Sequence, residues 1–243
     1  MNVVFVGATR GMGRALSRLM AQRGDRLFLF GRNEERLETA AKDLEVRGAV
    51  GKVGVASMDL GDADGFEPAL DAAEAEMGTI DTVVVSAGLF ATQDELEADP
   101  ALAERIAQVN FTGTLVFCEA ARKRLRPGGT LCVFSSVAGE RGRKPVVIYG
   151  ATKAGLSAYL EGLDHRFRQD GLRVVTVKPG FVKTEMTAEL DPPPFAGEPD
   201  AVAERVLLAI DRGEPVVYAP APWRAVMAVI RHLPRAVMRR VGF

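Results

Sequence analysis

The chain alternates between two hydrophobic rhythms almost to its end. Short apolar runs, NVVFV (Asn2–Val6), RLFLF (Arg26–Phe30), GKVGVASM, TVVVS, TLCVFS, RVVTVK and PVVY, have strand length and are rich in β-branched residues. Between them lie stretches of helical length, among them Met12–Gln22 and Glu34–Glu45, the second with Asn33 in the N-cap position. A continuous apolar strand is one buried on both faces, as in a parallel sheet covered by helices on either side. The pattern therefore predicts one doubly wound α/β domain over residues 1–243, with a mostly parallel seven-stranded sheet and helices on both faces. ELDPPPFAGEPD (Glu189–Asp200) breaks the rhythm, because its consecutive prolines and its glycine forbid regular structure. No internal repeat and no low-complexity tract interrupts the domain.

Composition narrows this only slightly. The chain has 243 residues, 47% of them apolar, enough for one well-packed domain. Lys+Arg number 31 against 32 Asp+Glu, so overall charge offers no reason to expect nucleic acid as a partner. Cys118 and Cys132 each sit inside an apolar run and read as small buried hydrophobes; with His165 and His232 as the only histidines, no metal site is expected. The start, MNVVFVGATRG, is neither a signal peptide nor a membrane span, and a cytoplasmic protein is the expectation.

Candidate chemistry begins where the first strand hands over to the first helix. VGATRGMG places Gly7, Gly11 and Gly13 there, and glycines let the backbone turn tightly and approach a pyrophosphate at a helix N-terminus. This is the site of a Rossmann-type dinucleotide fold. After the second strand, where NAD sites of this architecture carry an acid for the ribose 2′-hydroxyl, stand Gly31 and Arg32, and Arg10 lies in the glycine turn itself. A 2′-phosphate repels carboxylate and suits guanidinium, so NADP(H) is expected over NAD(H).

YGATK puts Tyr149 and Lys153 one helical turn apart, which alone describes any helix surface. FSSVAGE, however, places Ser136 just after an apolar strand, where parallel-sheet enzymes gather their sites. With these residues the chain resembles the short-chain dehydrogenase/reductase family over about Asn2 to Met186. Gly7, Gly11 and Gly13 match its G-x-x-x-G-x-G, and Tyr149 and Lys153 its Tyr-x-x-x-Lys. Ser136 matches the serine thirteen residues earlier, Asn110 of QVNFTG its assisting asparagine, and Asp59 of SMDL its adenine-side acid. Pro179, Gly180, Val182 and Thr184 match its PG-x-V-x-T.

The resemblance implies hydride transfer between a nicotinamide and a small carbonyl or alcohol, by Asn110, Ser136, Tyr149 and Lys153. Tyr149 would be the general acid/base, with Lys153 stabilising its phenolate and holding the nicotinamide ribose, Ser136 on the substrate oxygen, and Asn110 organising a proton relay. The cofactor would lie against Gly7, Thr9, Arg10, Gly11, Met12, Gly13, Arg32, Asn33, Asp59, Leu60, Ser86, Ala87, Gly88, Tyr149, Lys153, Pro179, Gly180, Val182 and Thr184. Residues 1–186 would form the cofactor-binding and catalytic core, 187–199 a substrate loop and 200–243 a divergent substrate or oligomer region. Two positions depart from the family: Val6 replaces its usual threonine, and VSAG (Val85–Gly88) its NNAG. As those residues brace one another, losing both implies a repacked cofactor floor.

The ending, APWRAVMAVIRHLPRAVMRRVGF, lacks acidic residues and carries Arg224, Arg231, Arg235, Arg239 and Arg240. Trp223, Met227, Ile230, Val237 and Val241 share one helical face, and Pro234 should kink or split the helix. Three roles stay open: capping the pocket and packing on the core or a partner subunit, lying on an anionic membrane through residues 222–243, or binding an acidic carrier or phosphorylated substrate. Its WR…M…LPR pattern is similar to tails of some bacterial family members that reduce lipid-linked sugars, which brings in a lipophilic substrate. Phe90, Val146, Phe181 and Met186 would make the pocket apolar. The resemblance further implies a homo-oligomer, a dimer before a tetramer, built on the helices of Asn110 and Tyr149. A non-catalytic NADP-binding sensor or scaffold is the alternative from another functional class.

Overall fold

In the computed structural model residues 1–241 are described; Gly242 and Phe243, the end of the basic tail, lie outside the described residues. Among these, seven strands form one sheet: β1 (Asn2–Val6), β2 (Arg26–Gly31), β3 (Gly54–Ser57), β4 (Ile80–Val85), β5 (Leu125–Phe134), β6 (Arg173–Pro179) and β7 (Val216–Ala219). Their order is β3-β2-β1-β4-β5-β6-β7 and every neighbouring pair is parallel, so the sheet expected to be mostly parallel is wholly so. The helices are α1 (Gly11–Gln22), α2 (Glu34–Val46), α3 (Phe66–Met77), α4 (Gln93–Ala98), α5 (Pro100–Ala107), α6 (Thr114–Arg122), α7 (Val147–Phe167), α8 (Pro199–Arg212), α9 (Trp223–His232) and α10 (Arg235–Met238).

Side chains alternate across each strand and so feed two cores. Val3 and Phe5 face Leu16 and Met20 of α1, Leu37 of α2 and Val206 of α8. Val4 and Val6 face Leu70 of α3, Phe117 of α6, and Leu156 and Leu160 of α7. On that second face Phe117 meets Phe30 and Phe66 edge-on, at centroid distances of 6.2 and 5.4 Å. Cys118 and Cys132 are fully buried, and burial pushes both thiols up.

The structure revises two boundaries and shows the expected break at Pro234. Only Gly54–Ser57 of GKVGVASM pairs with a neighbour. The proline-rich loop ends before Asp200, because α8 starts at Pro199, whose missing N–H costs nothing in a first helical turn. The C-terminal helix splits at Pro234, with Leu233 extended at ψ 133°. Hence Trp223, Met227 and Ile230 are buried against Val137, Phe181 and Tyr218, whereas Val237, expected on the same face, is 41% exposed. The apolar face of α9 is therefore covered by the protein itself. Among the described residues no helix is long and apolar enough to cross a membrane.

Candidate active site

The registers pair Val6 with Phe30 and Val85, Val85 with Val133, Phe134 with Val177, and Pro179 with Ala219, so these strands end along one edge of the sheet. The chain winds in opposite directions on either side of β1 and β4, and a crevice opens beyond their carboxyl ends. Here Gly7 and Gly11 have φ of +95° and +49°, in the left-handed region that side chains avoid. A Cβ on Gly13 would lie 2.1 Å from the Gly7 carbonyl oxygen and 2.3 Å from Ser86 Oγ, so the turn closes over α1 only without one. The first turn of α1 has neither an acidic residue nor a side-chain cap. The start of α1 borders a cavity of about 630 Å³ whose walls include Gly11, Arg14, Arg18, Lys183 and Thr184. Main-chain donors beside cations suit the pyrophosphate of a dinucleotide. Thr9 is partly buried in this turn, and Met12 packs onto the core beneath it.

Where the family's threonine and asparagine are missing, Ser86 supplies another brace. Its Oγ donates toward the carbonyls of Val6 and Gly7, each at 3.2 Å, and Ala87 N–H reaches the Val6 carbonyl at 3.3 Å. Gly88 leaves room beside two catalytic candidates: a Cβ there would stand 3.2 Å from Asn110 Oδ1 and 3.6 Å from Lys153 Nζ. Arg32 is exposed just past β2, and Asn33 caps α2 by accepting from Arg36 N–H at 2.8 Å. Arg10 is exposed and pairs with Glu185 at 3.4 Å. At Asp59 burial works against ionisation, but the Gly61 N–H, Arg105 and Arg32 outweigh it and hold the carboxyl below its ordinary range. The carbonyl of the next residue, Leu60, presses against Gly113, where a Cβ would come within 1.6 Å.

Beyond β4 and β5 the remaining groups converge. Asn110 lies in a π-helical turn, Gln108–Gly113, between α5 and α6, a widening of the helix that often marks functional sites. It is fully buried; its Nδ2 donates to the Leu89 carbonyl and its Oδ1 accepts from Leu89 N–H, both at 2.7 Å. Tyr149 and Lys153 stand on consecutive turns of α7, with Nζ of Lys153 5.9 Å from the Tyr149 ring centre. The same Nζ donates to the Phe134 carbonyl at 2.9 Å. Ser136 follows β5, and its Oγ accepts from Ala138 N–H at 3.1 Å. The segment after it crosses α7 at Gly139, where a Cβ would lie 2.5 Å from the Lys153 carbonyl carbon. Past β6, Val182 is buried, its carbonyl accepts from Thr187 Oγ1 at 2.6 Å, and that oxygen also accepts from Thr184 N–H at 3.1 Å. Gly180 lies against Trp223, so the segment of Pro179 to Thr184 is wedged between the crevice and α9.

The electrostatics differ from expectation at the tyrosine. Burial pushes the Tyr149 phenol up to about 12, with the Ser136 hydroxyl and the Arg143 guanidinium pulling the other way. Lys153 was expected to lower it, but that ammonium is directed at Phe134, and burial brings it down to about 8. Sequence reasoning also passed over three supports. Ser135 donates to the Lys153 carbonyl at 3.0 Å and meets Ser157 Oγ at 2.7 Å; the serine doublet was its only signal. Leu89 acts through its main chain, which side-chain identity does not reveal. Arg143 carried no signal among its basic neighbours in ERGRK. Phe90, named only as a pocket residue, packs edge-on against Tyr149 at 5.1 Å.

Comparison with known proteins is consistent with this geometry. Residues 1–194 match the family described as short chain dehydrogenase. An uncharacterised oxidoreductase of Mycobacterium tuberculosis is 34% identical over 241 residues, covering 98% of this chain and 96% of that one. Carbonyl reductase family member 4 of Danio rerio is 32% identical, over 86% of this chain and 90% of its own. A crystal structure of 3-oxoacyl-[acyl-carrier protein] reductase from Brucella melitensis, in complex with NAD, aligns with a TM-score of 0.78 at 27% identity, covering 89% and 94%. With most of its length matched and the family's motif positions gathered at one sheet edge, the chain belongs to the short-chain dehydrogenase family and is an oxidoreductase.

Proposed function

We propose that the protein is an NADPH-dependent reductase of a ketone or aldehyde, also able to run the reverse alcohol oxidation. The observation that carries this reading is the Tyr149 phenol beside the Ser136 hydroxyl, with the buried Lys153 amine one helical turn away. A bound nicotinamide supplies the hydride. Tyr149 gives its proton to the carbonyl oxygen as charge develops there, and Ser136 steadies the same oxygen with a hydrogen bond. Lys153, facing Gly88 and Asn110, would hold the nicotinamide ribose, and Asn110 fixes the Leu89 backbone at the crevice wall. Gly7, Gly11 and Gly13 with the start of α1 would cradle the pyrophosphate, and Thr184 and the Val182 backbone the carboxamide. Exposed Val116 on α6 and Val147 on α7 support a homodimer through those helices.

NADPH preference is supported by Arg32 and Arg10 and by Asp59, whose charge is paired with Arg105. Arg32→Ala should weaken NADPH roughly 10- to 100-fold, the worth of a charge-assisted hydrogen bond or two, and NADH by less than about threefold. Fluorescence titration of purified protein with each cofactor is the test; equal losses would refute the assignment. The pH profile follows from the two site groups. Reduction needs Tyr149 protonated, which holds to about 12, and Lys153 charged, which holds only to about 8. Reductive kcat/KM should be flat through neutral pH and fall by up to about tenfold per pH unit above about 8, while alcohol oxidation, which needs the phenolate, rises up to about pH 8 and then levels off. A reductive rate that climbs between roughly pH 8 and 10 contradicts this assignment.

A further inference from the structure

We propose that Arg143 binds a carboxylate of the carbonyl substrate, so that keto acids are the preferred substrate class. This rests on the reductase reading above and extends it to the substrate. The segment between Ser136 and Tyr149 is pinned at several points. Gly139 abuts the Lys153 backbone, and Arg141 Nη2 donates to the Leu233 carbonyl at 2.6 Å. Glu140 Oε1 accepts from Lys178 at 2.8 Å and from the Tyr218 hydroxyl at 2.5 Å, while its buried Oε2 has no partner. Lys144 is exposed. Arg143 stands apart from the other two cations of this segment. Its Nε is shielded from solvent and has no hydrogen-bond partner, and among the described residues no carboxylate forms an ion pair with it.

A shielded guanidinium Nε without an acceptor is uncommon, because that donor loses water and gains nothing. Its place in the site supplies a reason. Arg143 precedes the short turn Lys144–Val146 that leads into α7 and Tyr149. That turn forms one wall of a cavity of about 460 Å³, with Phe90, Gln93 and Leu190 on the others. Phe90 in turn packs edge-on against the Tyr149 ring, so one wall of the cavity is in contact with the reacting residue. Arg143 also pulls the Tyr149 phenol toward ionisation, so its positive charge is felt at the reacting group. The fixed, planar fork of a guanidinium matches a carboxylate in two parallel hydrogen bonds. A molecule carrying both groups would direct its carbonyl to Tyr149 and Ser136 and its carboxylate to Arg143.

The test compares benzoylformate with its methyl ester, which differ in charge and little in shape. Binding is measured by calorimetry on NADP⁺-saturated protein, where reduction does not proceed, and turnover by NADPH oxidation. Wild type should prefer the acid, and Arg143→Leu should lower the acid-to-ester affinity ratio by about 30-fold or more, with Arg143→Lys restoring part of it. In turnover the loss should fall on KM for the acid rather than on kcat. Arg143→Gln provides a second neutral variant should the leucine protein not fold. Equal binding of acid and ester by wild type, a ratio unchanged in the variants, or no binding of the acid overturns the proposal. Acid binding that depends on Arg143 without any NADPH oxidation would uphold the carboxylate site and overturn the reductase reading. NADPH-dependent reduction with an unchanged ratio does the reverse.

Discussion

The Tyr149→Phe enzyme should turn over about 10³-fold more slowly than wild type, or worse, while keeping its NADPH affinity within about threefold. Positioned acid–base groups contribute roughly 10²- to 10⁴-fold, and here the serine, lysine and asparagine candidates offer no second group to protonate an alkoxide in the same place. The substitution removes one oxygen and keeps the ring, so the edge-on contact with Phe90 and the course of α7 survive. Single-turnover NADPH oxidation and a fluorescence titration on the same preparation separate chemistry from binding. Turnover near the wild-type rate would end the role assigned to Tyr149. Loss of binding together with turnover would show instead that the phenol supports the cofactor.

Trp223→Ala should destabilise the protein by about 3–5 kcal/mol, the range for removing a large buried aromatic side chain. Trp223 is 9% exposed and packs with Val137, Met227 and Ile230. Its Nε1 donates to the Phe195 carbonyl at 3.1 Å, tying α9 to the loop before α8. The indole also fills the space over Gly180, where a Cβ would lie only 2.2 Å from the ring. For a chain of this length that loss corresponds to a fall in melting temperature of roughly 6–20 °C. Because Gly180 leads directly to Val182 and Thr184, NADPH binding should weaken as well, which thermal melts with and without NADPH would reveal. A shift below about 3 °C would mean that α9 is a loose appendage rather than part of the site.

Some of this was legible in the sequence. Each β-branched run from Val3 onward needs cover on both faces, so runs alternating with helical periods specify a parallel sheet. The turn at Gly7–Gly13 and the Tyr149–Lys153 pair were equally readable, because backbone freedom and one helical turn are properties of neighbouring residues. So was the cap at Asn33, which needs only the residues that follow it.

What tertiary structure decided depends on residues far apart in the chain. Asn110 is locked to a backbone 21 positions away. Ser86 braces the glycine turn from some 80 residues downstream, replacing a family pair by reaching main chain instead. The apolar stripe near the C-terminus and its break at Pro234 were visible, but only packing decided that Trp223, Met227 and Ile230 are buried and Val237 exposed. The direction of the Tyr149 shift and the unmet donor of Arg143 both follow from burial, which is set by what other elements place around a side chain. Periodicity and spacing record local geometry; desolvation and partner choice arise only when distant segments meet.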